Sequence, residues 1–249
     1  MLVPAANFDL RNNLIIALDV DSADECLRLA ELLHGYAGAF KVGPRLCMRY
    51  GADLVMKLAK RAPVFVDNKY LDIPSTVDAA VRATFEAGAT LATVHAWNGK
   101  ETLERLAQIE KTLNEKRPFK VLAVTILTSF SPETLPPGFT SQSIEQSVER
   151  LAELAVASGL TGLVCSPHEV AKLRAQNENS FLVTPGVRLT SDEQGDQKRT
   201  ETPEESIRKG ASALVVGRPI IGAKDPVEAA QRIVASINDG LVGRGPTKN

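Results

Sequence analysis

The chain has 249 residues, 44% hydrophobic and 24% charged, and its 29 basic and 30 acidic side chains leave a net charge of −1. A globular chain of this size buries roughly 70–75% of its unfolded surface, so it needs no disulfide or metal to hold its core. Balanced charge without a like-charged block argues against nucleic-acid and membrane-surface partners, and no apolar run reaches the about 18 residues of a membrane span. Any anion site must therefore be local. Cys26, Cys47 and Cys165 form no CxxC pair, and His34, His95 and His168 are scattered, so no metal site is expected. The cysteines read as buried small residues in a reducing compartment. The start, MLVPAANFDLRNN, lacks the basic and apolar regions of a signal peptide, which points to the cytoplasm.

Short apolar runs recur along the chain: LIIALD (14–19), AFKVG (39–43), VFVDNK (64–69), LATVHA (91–96), VLAVTI (121–126), GLVCS (162–166), FLVTP (181–185) and ALVVG (213–217). Their nearly continuous hydrophobicity is that of parallel strands covered on both faces. Between them lie amphipathic segments with helix signals. Ser22 with Glu25, and Ser143 with Gln146, read as capping boxes. Gly35, Gly88, Gly159 and Gly210 stand where helices should stop, and Pro203 and Pro226 where late helices should start. Eight strands alternating with helices in this length predict one (β/α)8 TIM-barrel domain over 1–249, with the barrel at about 14–238 and a tail at 239–249. The rival, a doubly wound open sheet, would show a Gly-rich turn after the first strand, where this chain has ALDVDSADE. The longest irregular stretches, 127–142 and 186–203, both follow strands, on the side where barrel enzymes keep their sites.

The densest local feature is VFVDNKYLDIPST, residues 64–76. Side chains alternate along a strand, so Asp67 and Lys69 point one way and Asn68 the other, towards the helices, where its amide needs a partner. Asp72 follows the strand, and Pro74 and Thr76 open the next helix. Lys41 ends the second strand and Asp19 the first. Asp19, Lys41, Asp67 and Lys69 thus share one rim, as a candidate site or as a structural salt-bridge network. A second cluster comes late: TPGVR (184–188), GDQKR (195–199) and GRPI (217–220). Loops after strands 7 and 8 are the usual phosphate pocket of such barrels. Gly217 lets the backbone approach an anion, Arg218 can fork onto phosphate oxygens, and Gln197 adds a neutral donor. His95 reads as a base or as a satisfied polar residue, and Trp97 as rim packing. Thr128 and Ser129 offer hydroxyls to a heterocycle or simply turn chemistry.

With these residues in hand, the chain resembles the orotidine 5′-phosphate decarboxylases from LIIALD to VVGRPI. The most specific match is Asp-x-Lys-x-x-Asp-Ile-Pro-x-Thr, carried by Asp67, Lys69, Asp72, Ile73, Pro74 and Thr76; ALD, KVG, VHA, LTS, VCS, VTPGVR, GDQ and GRP follow in family order. The resemblance implies cofactor-free, metal-free decarboxylation of orotidine 5′-phosphate to uridine 5′-phosphate, the last step of pyrimidine nucleotide biosynthesis. Lys41, Asp67, Lys69 and Asp72 would form a charged network at the reacting carbon, with Lys69 as proton donor. Asp19 and Lys41 would hold the ribose and Thr128 the pyrimidine. Arg188, Gln197, Gly217 and Arg218 would hold the phosphate. Asp72 and Thr76 would reach into the neighbouring subunit of a homodimer. The chain departs from the pattern at Asn68, usually apolar, at Ser75, commonly Asn, and at Trp97-Asn98, usually two small residues. Metal-dependent sugar-phosphate decarboxylases and aldolases share the Asp-x-Lys-x-x-Asp core; the Ile-Pro-x-Thr extension, LTS and GDQ speak against them.

Overall fold

Each apolar run becomes a parallel strand: β1 (Leu14–Ala17), β2 (Ala39–Val42), β3 (Val64–Tyr70), β4 (Leu91–His95), β5 (Lys120–Val124), β6 (Gly162–Val164), β7 (Phe181–Pro185) and β8 (Ala213–Val216). The computed structural model describes residue 10 and residues 12–136, 143–188 and 201–243. The strands close in sequence order, β1 through β8 and back to β1. This is a (β/α)8 barrel, as the alternating pattern predicts. The ladders stop short of several apolar runs: β1 ends at Ala17 rather than residue 19, and β5 at Val124 rather than 126. Beyond these ends Asp19 and Ile126 turn to the mouth, whereas Leu18 packs outward.

Strand parity divides the core into two. Ile15, Ala17, Ala39, Phe65, Leu91, Leu122, Val183, Ala213 and Val215 fill the barrel interior, joined by Leu10 ahead of β1. The alternate residues, among them Leu14, Ile16, Phe40, Val64, Val66, Ala92 and Val94, pack outward against the helices. A strand buried on both faces has no polar side, which is why its sequence lacks strict alternation.

The helical layer contains α1 (Ala23–Leu33), α2 (Pro44–Ala59), α3 (Pro74–Glu86), α4 (Gly99–Asn114), α5 (Ile144–Ala157), α6 (Val170–Gln176), α7 (Pro203–Lys209), α8 (Arg218–Ile221) and α9 (Pro226–Val242). Ser143 and Gln146 form the full capping box of α5. At α1 Ser22 caps the Glu25 N–H, but the Glu25 carboxylate forks onto Arg28, with both contacts at 2.8 Å. Gly51, at φ 57°, breaks α2 into two segments. Helix α9 continues to Val242, past residue 238, where the sequence pattern ended the barrel. Pro203 and Pro226 each occupy the first position of a helix, where a missing N–H costs nothing.

Among the described residues, no helix is long and apolar enough to cross a membrane. Cys26 and Cys165 are buried, Cys47 is half-buried, and all three are free thiols.

Candidate active site

At the C-terminal mouth the interior rows change from apolar to charged. Lys41 on β2 stands in register with Ala17 of β1 and Phe65 of β3, so it occupies an interior position and runs its aliphatic stem up the barrel wall. Two residues beyond Ala17 and Phe65 come Asp19 and Asp67. Lys41 Nζ lies 3.2 Å from Asp19 Oδ1 and 3.5 Å from Asp67 Oδ2. Lys69 Nζ lies 2.9 Å from Asp67 Oδ1. The Asp67 carboxylate is therefore shared between two ammonium groups, with only 14% of its side chain exposed. Burial alone would raise the Asp67 carboxyl. The charges of Lys41 and Lys69 and hydrogen bonds from Lys69 and Thr93 outweigh it and hold the group below the usual carboxylate value.

The backbone under Lys69 is irregular. Val66 pairs with Ala92 and Tyr70 with Val94, so Asp67, Asn68 and Lys69 together face Thr93 alone. Lys69 takes φ 50°, and among the described residues it is the one non-glycine with positive φ. Such a backbone costs on the order of 1–3 kcal/mol and persists only where its surroundings enforce it. Period-two parity predicts that Asp67 and Lys69 meet, and they do, but through a bulge rather than a regular pleat. Asn68 turns outward and donates to the Tyr70 hydroxyl at 3.1 Å, which meets Thr84 Oγ1 at 2.7 Å. Its amide nitrogen thus finds a partner, whereas its buried Oδ1 accepts no hydrogen bond among the described residues.

These groups open into a cavity of about 550 Å³. Its lining includes Asp19, Lys41, Asp67 and Lys69 from β1 to β3, Thr128 after β5, and Arg188, Gly217 and Arg218 after β7 and β8. Arg218 opens the short α8 directly after β8. A Cβ on Gly217 would sit 3.3 Å from the Ala17 Cβ, a tight contact, and 3.8 Å from Asp19 Oδ2, an ordinary one, so glycine eases the close approach to β1. Cys165 also faces the cavity, and burial pushes its thiol up to about 12, keeping it neutral. Gln197 lies outside the described residues. Ser129 is exposed and is not part of the cavity lining.

Asp72 and Thr76 are not brought to this cavity. Both are exposed, and Asp72 Oδ1 accepts from the Ile73 N–H at 2.7 Å. His95 is buried, with its ring tilted against Trp97 at a centroid distance of 4.7 Å. Burial, reinforced by the Lys69 charge, lowers its pKa and keeps the imidazole neutral. Its Nδ1 is buried without a hydrogen-bond partner among the described residues, so the expectation of a satisfied polar residue does not hold for that nitrogen.

Three contributors escaped the sequence reading. Thr93 is fully buried and bonds both Asp67 and Lys69. Its signal was a polar residue at an inward position of LATVHA. Arg45, in the first turn of α2, lines the cavity and donates to the Asp19 carbonyl at 3.2 Å. Asn98 donates to the carbonyls of Tyr70 and His95, both at 2.8 Å, and accepts from the Asp72 N–H at 3.3 Å, pinning the turn after β3.

Among the described residues, no group of three or more His, Cys, Asp or Glu is placed to hold a metal ion.

The family model described as "Orotidine 5'-phosphate decarboxylase / HUMPS family" matches residues 12–233. An orotidine 5′-phosphate decarboxylase of Trichlorobacter lovleyi is 43% identical over 236 residues, covering 94% of this chain and 98% of that protein. One from Moorella thermoacetica is 41% identical, covering 91% and 92%. The crystal structure of orotidine 5′-phosphate decarboxylase from Lactobacillus acidophilus superposes with a TM-score of 0.78 at 33% identity, covering 91% of this chain and 99% of that one. Barrel, charged rim and near-full-length similarity agree, and the chain belongs to the orotidine 5′-phosphate decarboxylase / HUMPS family.

Proposed function

We propose that this chain decarboxylates orotidine 5′-phosphate to uridine 5′-phosphate, the last step of pyrimidine nucleotide synthesis, without a cofactor or metal, using Lys69 as the proton donor. The observation that carries the proposal is the Asp67–Lys69 contact inside a cavity that Arg188, Gly217 and Arg218 also line. That arrangement suits a substrate with a phosphate at one end and an anionic reacting centre at the other.

In this reading Arg188, Gln197, Arg218 and the open backbone at Gly217 hold the phosphate. Asp19 and Lys41 hold the ribose hydroxyls, and Thr128 lies beside the pyrimidine. The bond from the ring to the carboxylate breaks, CO2 leaves, and the electron pair stays on the ring carbon. The Lys69 ammonium stabilises that developing charge and then gives its proton to the carbon. The neutral amine regains a proton from solvent. Asp67 keeps the ammonium aimed, and Lys41 on its other oxygen balances the charge. Phosphate binding, remote from the reacting carbon, contributes energy that orders the site.

Asp72 and Thr76 complete the neighbouring site of a homodimer. Their position outside the cavity supports this. So do Leu71 and Ile73 beside Asp72, apolar side chains that are 51% and 65% exposed. Three free thiols suit a reducing compartment, so we place the enzyme in the cytoplasm.

The experiment is direct: purified protein is incubated with orotidine 5′-phosphate while the orotate absorbance is followed. Catalytic loss of that absorbance with formation of uridine 5′-phosphate is expected; unchanged substrate would refute the assignment.

A further inference from the structure

We propose that Thr93 is a positioning residue for the reaction: its single hydroxyl sets both the backbone of Lys69 and the carboxylate of Asp67. The inference rests on the decarboxylase reading and adds to it a residue outside the cavity lining.

The ladder between β3 and β4 is broken. Three residues of β3, Asp67 to Lys69, stand against Thr93 alone, so the Lys69 N–H is displaced from a regular ladder position. The Thr93 side chain receives that N–H, at 2.9 Å from Lys69 N to Oγ1. An N–H can only donate, so the hydroxyl oxygen accepts there. Its own proton is then free, and Oγ1 lies 3.0 Å from Asp67 Oδ1, an oxygen with no proton to offer when ionised. The direction of both bonds follows. Asp67 Oδ1 in turn receives Lys69 Nζ at 2.9 Å. One fully buried hydroxyl thereby closes a ring through the backbone and the side chain of the same lysine.

This ring answers two demands. A lysine at φ 50° needs its surroundings to hold it there, and its N–H is one of the few handles available. The carboxylate that orients the ammonium needs a fixed rotamer, because two cations pull on it, Lys41 on Oδ2 and Lys69 on Oδ1. A buried hydroxyl on a strand supplies a rigid reference for both. The charged and titratable groups that face Asp67 and Lys69 include Lys41 from β2, Asp19 beyond it on β1, Cys47 from α2 and, beside Lys69, His95 on β4.

The test is Thr93→Val, which keeps shape and burial and removes the hydroxyl, with Thr93→Ser as the conservative variant. Thr93→Val is expected to lose about 10- to 100-fold in kcat, the rate equivalent of a hydrogen bond to a charged group, with affinity for uridine 5′-monophosphate unchanged. Thr93→Ser is expected to recover most of that loss. In ligand-free protein, the Asp67 carboxyl followed by 13C NMR is expected to titrate at higher pH in Thr93→Val than in wild type. A merely structural role would lower the melting temperature and the folded fraction without moving that titration. Should Thr93→Val fail to fold, Thr93→Ala and Thr93→Ser replace it as a pair that both lack the methyl group and differ only in the hydroxyl. Wild-type kcat in the variant without the hydroxyl, or an unmoved Asp67 titration, overturns the proposal. If wild type leaves orotidine 5′-phosphate unchanged, the decarboxylase reading falls, while the Asp67 titration still decides whether Thr93 sets the carboxylate.

Discussion

Replacing Asp67 by Asn keeps the shape of the side chain and removes the charge shared by Lys41 and Lys69. At an effective dielectric of about 20, a unit charge pair at 2.9 Å attracts by about 6 kcal/mol and one at 3.5 Å by about 5 kcal/mol. Two terms oppose these gross values. Desolvating the carboxylate costs several kcal/mol, and Lys69 keeps 35% of its side chain in solvent, which screens its share. The net loss on leaving two cations without their counter-charge is about 3–5 kcal/mol. The assay is denaturant unfolding of wild type and Asp67→Asn across pH. The sign follows from the folded-state carboxyl, which lies below its ordinary value. Its contribution is fully present above the unfolded value of about 3.9 and is lost as pH falls through the folded value. The stability gap should therefore be constant from neutral pH to about pH 5 and shrink below about pH 4. Equal stability of the two proteins at neutral pH, or a gap unchanged in acid, would refute the reasoning.

The other predictions concern separate parts of the molecule. Arg218→Ala should weaken uridine 5′-phosphate binding by about 10- to 100-fold, measured by calorimetry, because a charged donor to the phosphate is lost. Glu110 on α4 lies beneath the barrel, 3.4 Å from Lys120 and accepting the Val121 N–H at 2.6 Å. Glu110→Ala should cost about 3–5 kcal/mol in denaturant unfolding, with the Lys120→Met/Glu110→Leu double variant recovering much of it. Exhaustive treatment with EDTA should leave turnover unchanged; loss of activity restored by a divalent metal would favour a metal-dependent relative instead.

The barrel was legible because doubly buried strands leave unmistakable apolar runs, such as LIIA and ALVV, and because Pro203, Pro226, Gly88 and Gly159 mark helix ends. The rim was legible from parity: Asp19, Lys41, Asp67 and Lys69 fall at successive strand ends and meet within 3.5 Å along the chain of contacts. What parity cannot carry is backbone torsion. Nothing in VFVDNKY announces that Lys69 leaves the β region, because the bulge depends on the register against β4. For the same reason Thr93 looked like any polar residue in a strand, and its value came only from what it faces. The break in α2 at Gly51 was equally silent, since a glycine inside a helical pattern is often tolerated. At Ser22 the sequence promised a reciprocal cap, yet a nearby arginine competes for the same carboxylate. Asp72 and Thr76 stand apart from the cavity, and strand parity within one chain does not describe the second copy proposed as their partner.

The central claim is that Lys69 delivers the proton. Lys69→Ala, compared with wild type for turnover of orotidine 5′-phosphate, tests it most directly. A rate lower by at least about 100- to 1,000-fold is expected, with circular dichroism and uridine 5′-phosphate binding retained. Decarboxylation by that variant at a rate near wild type would contradict it.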